Sequence, residues 1–175
     1  MWRRRSAYVE GETDAPYLKR AAVLRGRADL LERCDIEWIG AKDEGGQGFH
    51  TGKDALKHTL SVLRANPKLA SRHILLLHDN DTSVLNQDYD GFSVRKLSIN
   101  LNNKKILAGI ENLLSEDCIE EKFYQVRETK KANGDTTISR TLRKTDLCEA
   151  MCLGGTREQF AAFDEPLSII GSFLA

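Results

Sequence analysis

Four consecutive aliphatic residues, Ile74-Leu75-Leu76-Leu77, run straight into His78-Asp79-Asn80-Asp81. A short apolar run bounded by charge suits a strand buried on both faces, as in a parallel sheet covered by helices, whereas a strand with one wet face would alternate. The preceding segments fit the same architecture. Ser6-Ala7-Tyr8-Val9 is a short strand ending in Glu10-Gly11-Glu12-Thr13-Asp14, after which Leu18, Ala21, Ala22 and Leu24 keep a helical period that predicts a first helix over 15–32. Thr13 or Asp14 can cap that helix, and Pro16 fits its first turn, where no N–H is required. Ile36-Glu37-Trp38-Ile39 alternates as a second strand, 40–48 reads as a loop from its glycines, and Thr51 with Asp54 has capping spacing for a helix that runs to Asn66-Pro67. Strand, helix, strand, helix, strand with right-handed crossovers predicts an α/β, Rossmann-like fold: a mainly parallel sheet with helices on both faces.

Downstream, 92–99 reads as a further strand and 104–114 as a helix. Segments 123–128 and 136–142 flank Ala132-Asn133-Gly134-Asp135, where Asn-Gly supplies the positive φ of a hairpin turn. Residues 146–152 form a short helix, Thr156 and Gln159 have capping-box spacing, and Asp164-Glu165-Pro166 opens a last helix. A chain of 175 residues fits a single domain, 1–175, with its core over about 6–115 and a hairpin and helical extension over about 116–175.

Composition excludes little beyond disorder and a membrane span. Hydrophobic residues are 41% of the chain, charged residues 30%, and there are only 3 prolines. The 26 Lys+Arg balance the 26 Asp+Glu, so an anionic partner must be argued from local charge alone. No apolar run approaches the ~20 residues of a membrane span, and Met1-Trp2-Arg3-Arg4-Arg5 lacks the apolar stretch of a signal peptide. The expectation is a cytoplasmic protein with no membrane partner. Cys34, Cys118, Cys148 and Cys152 contain no C-x-x-C and read as core thiols.

Ligands of open parallel sheets bind beyond the carboxyl ends of the strands, and that is where this chain concentrates its acids. Glu10 closes the first strand; Asp79 and Asp81 close the central one. Two residues apart at strand spacing, these aspartates face the same way about 7 Å apart and repel by roughly 2 kcal/mol at an effective dielectric near 20. A divalent cation removes that penalty. Oxygen-only ligands favour hard ions, Mg²⁺ ahead of Mn²⁺ or Ca²⁺, and Mg²⁺ is at home with phosphate oxygens. Asp14, four residues after Glu10, can return its carboxylate to the same side and make room for a second ion. The competing reading is that Glu12 and Asp14 only cap a helix and that Asp79 to Asp81 only start a loop.

Val9-Glu10-Gly11-Glu12-Thr13-Asp14-Ala15 resembles the first motif of TOPRIM domains, and Leu76-Leu77-His78-Asp79-Asn80-Asp81 resembles their DxD motif. The Glu10 to Asp14 spacing, Gly109-Ile110-Glu111-Asn112-Leu113-Leu114 and Lys144 ahead of a short helix look most similar to the nuclease domain of the OLD (overcoming lysogenization defect) family. That resemblance spans roughly 6–115, with a looser match beyond. It implies two-metal hydrolysis of phosphodiesters with Mg²⁺ or Mn²⁺, in which Glu10, Asp14, Asp79, Asp81 and Glu111 are metal ligands. Glu10 and Lys144 would act in catalysis, Lys144 beside the scissile phosphate. It also implies a nucleic-acid substrate, DNA ahead of RNA, and a role in defence against foreign DNA. OLD proteins carry an ATPase domain on the same chain and none fits here, so a separate ATPase subunit is the implied partner; a homo-oligomer is left open. Substrate grip is assigned to the hairpin, where Lys122, Arg127, Lys130, Lys131, Arg140, Arg143 and Lys144 stand against three acids between 122 and 147. Lys130, Lys131, Arg140 and Arg143 are the leading candidates; an ordinary charged edge that discourages aggregation is the alternative.

Other signals carry less. Gly48-Phe49-His50-Thr51-Gly52-Lys53-Asp54 misplaces the first glycine of a phosphate loop and has Asp after the lysine, so Walker A is rejected, although its glycines can still touch a phosphate or metal. His78 adjoins the acids and can tune or ligate a metal, whereas His50, His58 and His73 have no partner spacing. Tyr8 and Tyr17 flank the first motif, but a covalent tyrosyl intermediate is disfavoured in so small a chain. Two other functions remain as alternatives: a haloacid-dehalogenase-type phosphatase with Asp79 as nucleophile and Asp81 as acid, and a non-catalytic binding module.

Overall fold

In the computed structural model the described residues are 4–46, 48–70, 73–130 and 136–175. The elements in chain order are Arg5–Val9 (β1), Asp14–Leu24 (α1), Asp29–Arg33 (α2), Cys34–Trp38 (β2), Ala41–Lys42 (β3), Gly48–Phe49 (β4), Gly52–Ala65 (α3) and Ile74–His78 (β5). Gln87–Tyr89 (β6), Phe92–Lys96 (β7), Tyr124–Lys130 (β8), Thr136–Leu142 (β9), Lys144–Gly154 (α4) and Asp164–Leu174 (α5) follow. The central sheet has the order β2-β1-β5-β7-β6, parallel throughout except at the edge strand β6. The chain is therefore a mixed α/β protein with a mostly parallel five-stranded sheet.

Strand pleating sorts side chains onto two faces. Ala7, Val9, Leu75, Leu77 and Leu97 enter the larger core with Leu18, Ala21 and Ala22 of α1, Leu147 and Met151 of α4, and Leu167 and Ile170 of α5. Leu76, Phe92 and Val94 enter the smaller core with Leu56, Leu60 and Leu63, which recur along one stripe of α3. The parallel ladders of β1 with β5 and β5 with β7 bring their carboxyl ends to one edge, with Glu10 and Asp79 as the next residues out.

Several local expectations need correction. The helix expected over 15–32 is two helices, because α1 stops in a Schellman turn: Gly26 takes φ +73, Gly26 N–H donates to Val23 O and Arg27 N–H to Ala22 O. The helix expected over 104–114 is an irregular loop followed by a single 3₁₀ turn at Ile110–Leu113. Asparagines explain it: Asn103 Oδ1 accepts the backbone N–H groups of Lys105 and Ile106, and Asn112 Nδ2 donates to the Asn100 and Ile106 carbonyls. Side chains that satisfy the backbone in this way compete with a helix. The strand expected over 92–99 leaves the sheet after Lys96, and the Ser98 N–H turns to the Glu165 carboxylate instead. Within 40–48, expected as loop, β3 pairs with β4 as a two-residue ribbon. Thr13 and Thr51 occupy the N-cap positions of α1 and α3 but make no side-chain cap bond. The β8–β9 hairpin is longer than expected on its first strand, and its 132–135 turn lies outside the described residues. Thr156 and Gln159 do exchange capping-box bonds, at the opening of a turn that leads to Phe160.

Candidate metal centre

Glu10, Asp79 and Asp81 each bring a carboxylate oxygen within 4.8 Å of the others, the single group of this kind among the described residues. They are not the side-by-side strand residues that period-2 geometry predicts. β5 ends at His78, so Asp79 and Asp81 turn out of the strand and back toward Glu10. Glu10 is 5% exposed and its Oε1 is doubly held, by the Asp79 backbone N–H at 3.2 Å and by His78 Nδ1 at 3.1 Å. With the glutamate ionised, the ring proton belongs on Nδ1 as donor. His78 Nε2 is then a buried acceptor without a partner.

Asp14 sits in the first turn of α1, and its Oδ2 accepts the Gly11 N–H at 2.7 Å. Burial pushes its carboxyl up to about 7, with Glu111 and Glu10 adding to the rise and the Gly11 bond and Lys144 opposing it. Burial first, and then Asp14, Glu10 and Glu111, push Asp79 up to about 8. Clustered acids without a cation keep their protons to unusually high pH for these two reasons together.

Glu111 is fully buried; its Oε2 accepts from Lys144 Nζ at 2.9 Å and its Oε1 from the Thr13 hydroxyl at 3.4 Å. Partial burial alone would lower the Lys144 ammonium, but the Glu111 charge and bond outweigh it and hold it above its usual value. All of this converges on Gly109, at φ +83, where an added Cβ would lie 2.8 Å from Glu111 Oε2, 3.2 Å from Lys144 Nζ and 3.7 Å from Asp79 Oδ2. No side chain fits in that gap.

Glu10, Asp14, Asp79, Asp81 and Lys144 therefore line one open cavity of about 660 Å³, with Glu111 just behind its wall through Lys144. One contributor, Lys53, went unread in the sequence, and the partners of Asn80 were not foreseen. Lys53, at the start of α3, reaches Asp81 Oδ2 at 3.2 Å. Asn80 points away from the acids, donating to Asn112 Oδ1 at 3.0 Å and accepting from Gly109 N–H at 3.2 Å, and so holds the loop of Glu111 against the strand end. The glycine-rich approach to Lys53 was a usable signal; strand alternation turns Asn80 away from its flanking aspartates, but its partners Asn112 and Gly109 are distant in sequence.

Among the described residues, the hairpin cations Lys130, Arg140 and Arg143 do not line the cavity. Arg140 pairs with Glu121 at 2.6 Å and stacks 3.8 Å over the Tyr124 ring, and Arg143 pairs with Asp146 at 2.7 Å. Lys130 ends β8, exposed, and Lys131 lies outside the described residues. Tyr17 is buried against Phe160 and Phe163, and Tyr8 packs on the α3 side of the sheet, so neither hydroxyl is presented beside the acids. Cys34, Cys118 and Cys148 are buried thiols, as expected; Cys152 is half-buried. No helix among the described residues is long and apolar enough to cross a membrane. The chain matches no family model, no curated protein and no solved structure. What the geometry itself defines is an acidic, oxygen-only site able to hold a divalent metal ion at the mouth of a parallel sheet.

Proposed function

We propose that this chain is a TOPRIM-type nuclease domain, most similar to those of the OLD family, that hydrolyses phosphodiester bonds of DNA with the help of two Mg²⁺ or Mn²⁺ ions. The observation that carries the reading is the convergence of Glu10, Asp79 and Asp81 within 4.8 Å. Three converging carboxylate ligands suit a hard cation. Burial and the neighbouring acids raise the Asp14 and Asp79 carboxyls beyond what Lys144 offsets, so a cation bound among them would relieve the cluster. Glu10, Asp79 and Asp81 would hold one ion, and Asp14 with Glu111 a second. When bound, such ions activate water at neutral pH and stabilise charge on the attacking and leaving oxygens.

The chain's own residues supply the rest. His78 and the Asp79 N–H fix the Glu10 carboxylate, so its free oxygen faces the cavity in one orientation. Lys144, half-exposed on the Glu111 side, offers an ammonium to the non-bridging phosphoryl oxygens. The β8–β9 hairpin leads directly into Lys144 through Leu142 and Arg143, so its cations Lys130, Arg140 and Arg143 would extend the grip on a nucleic-acid backbone leaving the cavity; Lys131, the fourth cation of this reading, lies outside the described residues. A separate ATPase subunit is the partner this reading favours.

Cleavage of plasmid, single-stranded DNA and RNA by wild type, Glu10→Gln and Asp79→Asn in Mg²⁺ and Mn²⁺ tests the proposal. Metal-dependent cutting by wild type that both substitutions abolish supports it; equal activity in all three overturns it. Covalent trapping of a phosphate mimic on Asp79 would favour a phosphatase instead.

A further inference from the structure

Lys53 lines the same cavity as Lys144 and holds Asp81 as Lys144 holds Glu111, so the two lysines sit on different acids of the cluster. We propose that Lys53 is a second phosphate-gripping residue, kept on Asp81 while the site lacks metal and released to the substrate's phosphoryl oxygens when a divalent ion takes the carboxylate. This inference rests on the metal-dependent reading of the same site.

Position is the first argument. Gly52, at φ +79, donates its N–H to the Glu10 backbone carbonyl at 3.0 Å, which ties the start of α3 to the strand end that carries the acids. Lys53 is the next residue and lines the same cavity as Glu10, Asp79 and Asp81. Its backbone is thus held in place, while its side chain, half-exposed, is free to move at the head.

Charge is the second. Glu10, Asp14, Asp79, Asp81 and Glu111 are five acids against the ammoniums of Lys53 and Lys144. Lys53, like any solvent-exposed lysine, is a cation at neutral pH. A divalent ion bound by Asp81 competes for the same oxygen and repels the ammonium beside it. An exposed lysine pair is weakly held, so Lys53 gives way. A strongly hydrated point charge on a flexible four-carbon stem can then turn to an anionic oxygen of a phosphodiester in the cavity.

The two roles require opposite signs in one substitution. Lys53→Met removes the competitor, so Mn²⁺ alone, titrated calorimetrically into the full chain, should bind about 2- to 5-fold tighter, the range an exposed ion pair allows. The same variant should lose about tenfold or more in kcat/KM on bis(p-nitrophenyl) phosphate, the size of a lost charge-assisted bond, and Lys53→Arg should restore much of it. If wild type takes up no Mn²⁺, the metal reading itself fails. If wild type binds Mn²⁺ but Lys53→Met binds it equally or less tightly, or cleaves as well as wild type, the Lys53 inference fails and the metal reading stands. A thermal melt of each variant identifies any loss that comes from unfolding.

Discussion

The side chain of Asn80 accepts the Gly109 N–H at 3.2 Å, so the residue between the two cavity aspartates faces backward and anchors the loop that delivers Glu111. Asp79 and Asp81 thus form one wall of the site while Asn80 secures another.

Asn80→Ala should leave Asp79 and Asp81 in place and loosen the Gly109 to Asn112 turn. Losing its bonds to Asn112 and Gly109 should cost about 1–3 kcal/mol in urea denaturation. The damage should appear at Glu111: titration with Mn²⁺ should show the occupancy that depends on Glu111 weakened more than the one that depends on Glu10. Unchanged stability would refute the anchoring role.

Gly109→Ala tests the crowding of the site. Its φ of +83 is costly for any L side chain, and the new methyl would meet Glu111 Oε2 at 2.8 Å. A loss of about 1–3 kcal/mol is expected from backbone strain alone, together with displacement of the Lys144 to Glu111 pair. A crystal structure of a variant that keeps that pair at its present 2.9 Å would contradict the crowding.

The metal-free protein should show an inverted response to pH from two of its acids. Asp14 and Asp79 titrate at about 7 and about 8 when folded, against about 3.9 when unfolded. The folded state therefore holds more protons between those limits, and the contribution of these two groups, complete below about pH 4, drains away as pH rises toward 8. Exposed acids with lowered values, such as Asp164, run the other way, so the comparison is with Asp79→Asn. In EDTA, the melting temperature of wild type relative to Asp79→Asn should fall from pH 5 to 8. A relative rise would be inconsistent with buried, protonated acids. Uptake of Mg²⁺ at pH 6.5 should release protons, measurable as a buffer-dependent heat.

Among the cysteines, Cys152 should react first. Its thiol pairs with the Cys148 sulfur across 3.9 Å, and that contact lowers it to about 7, while burial pushes Cys34 and Cys118 up to about 11. Limited iodoacetamide treatment followed by peptide mass spectrometry should place the first label on Cys152; first labelling at Cys34 or Cys118 would contradict it.

The sheet and the acids Glu10, Asp14, Asp79 and Asp81 were legible because each depends on a few adjacent residues. Ile74 to Leu77 is an uninterrupted apolar strand whose end is marked by charge, and Ser6 to Val9 repeats that pattern before Glu10. That Asp79 and Asp81 face one way and Asn80 the other was legible; how close the two aspartates come to Glu10 was not, since the strand stops at His78. The segment before Glu111 looks helical by apolar spacing, yet Asn103 and Asn112 take its backbone donors and acceptors for themselves. Lys53 was hidden for a different reason: its surroundings were judged against a phosphate-loop pattern they do not fit, whereas its placement comes from a backbone bond between Gly52 and Glu10, far apart in sequence. Contacts of that kind become visible only when the strands are assembled.

The bond from Asp79 N–H to Glu10 Oε1 joins residues 69 apart, from neighbouring strands at the centre of the sheet. Neither half of the acid cluster exists on its own before β1 and β5 have zipped together. A chain caught midway through folding thus carries the acids without the arrangement, and any chemistry they perform is withheld until the central seam is closed.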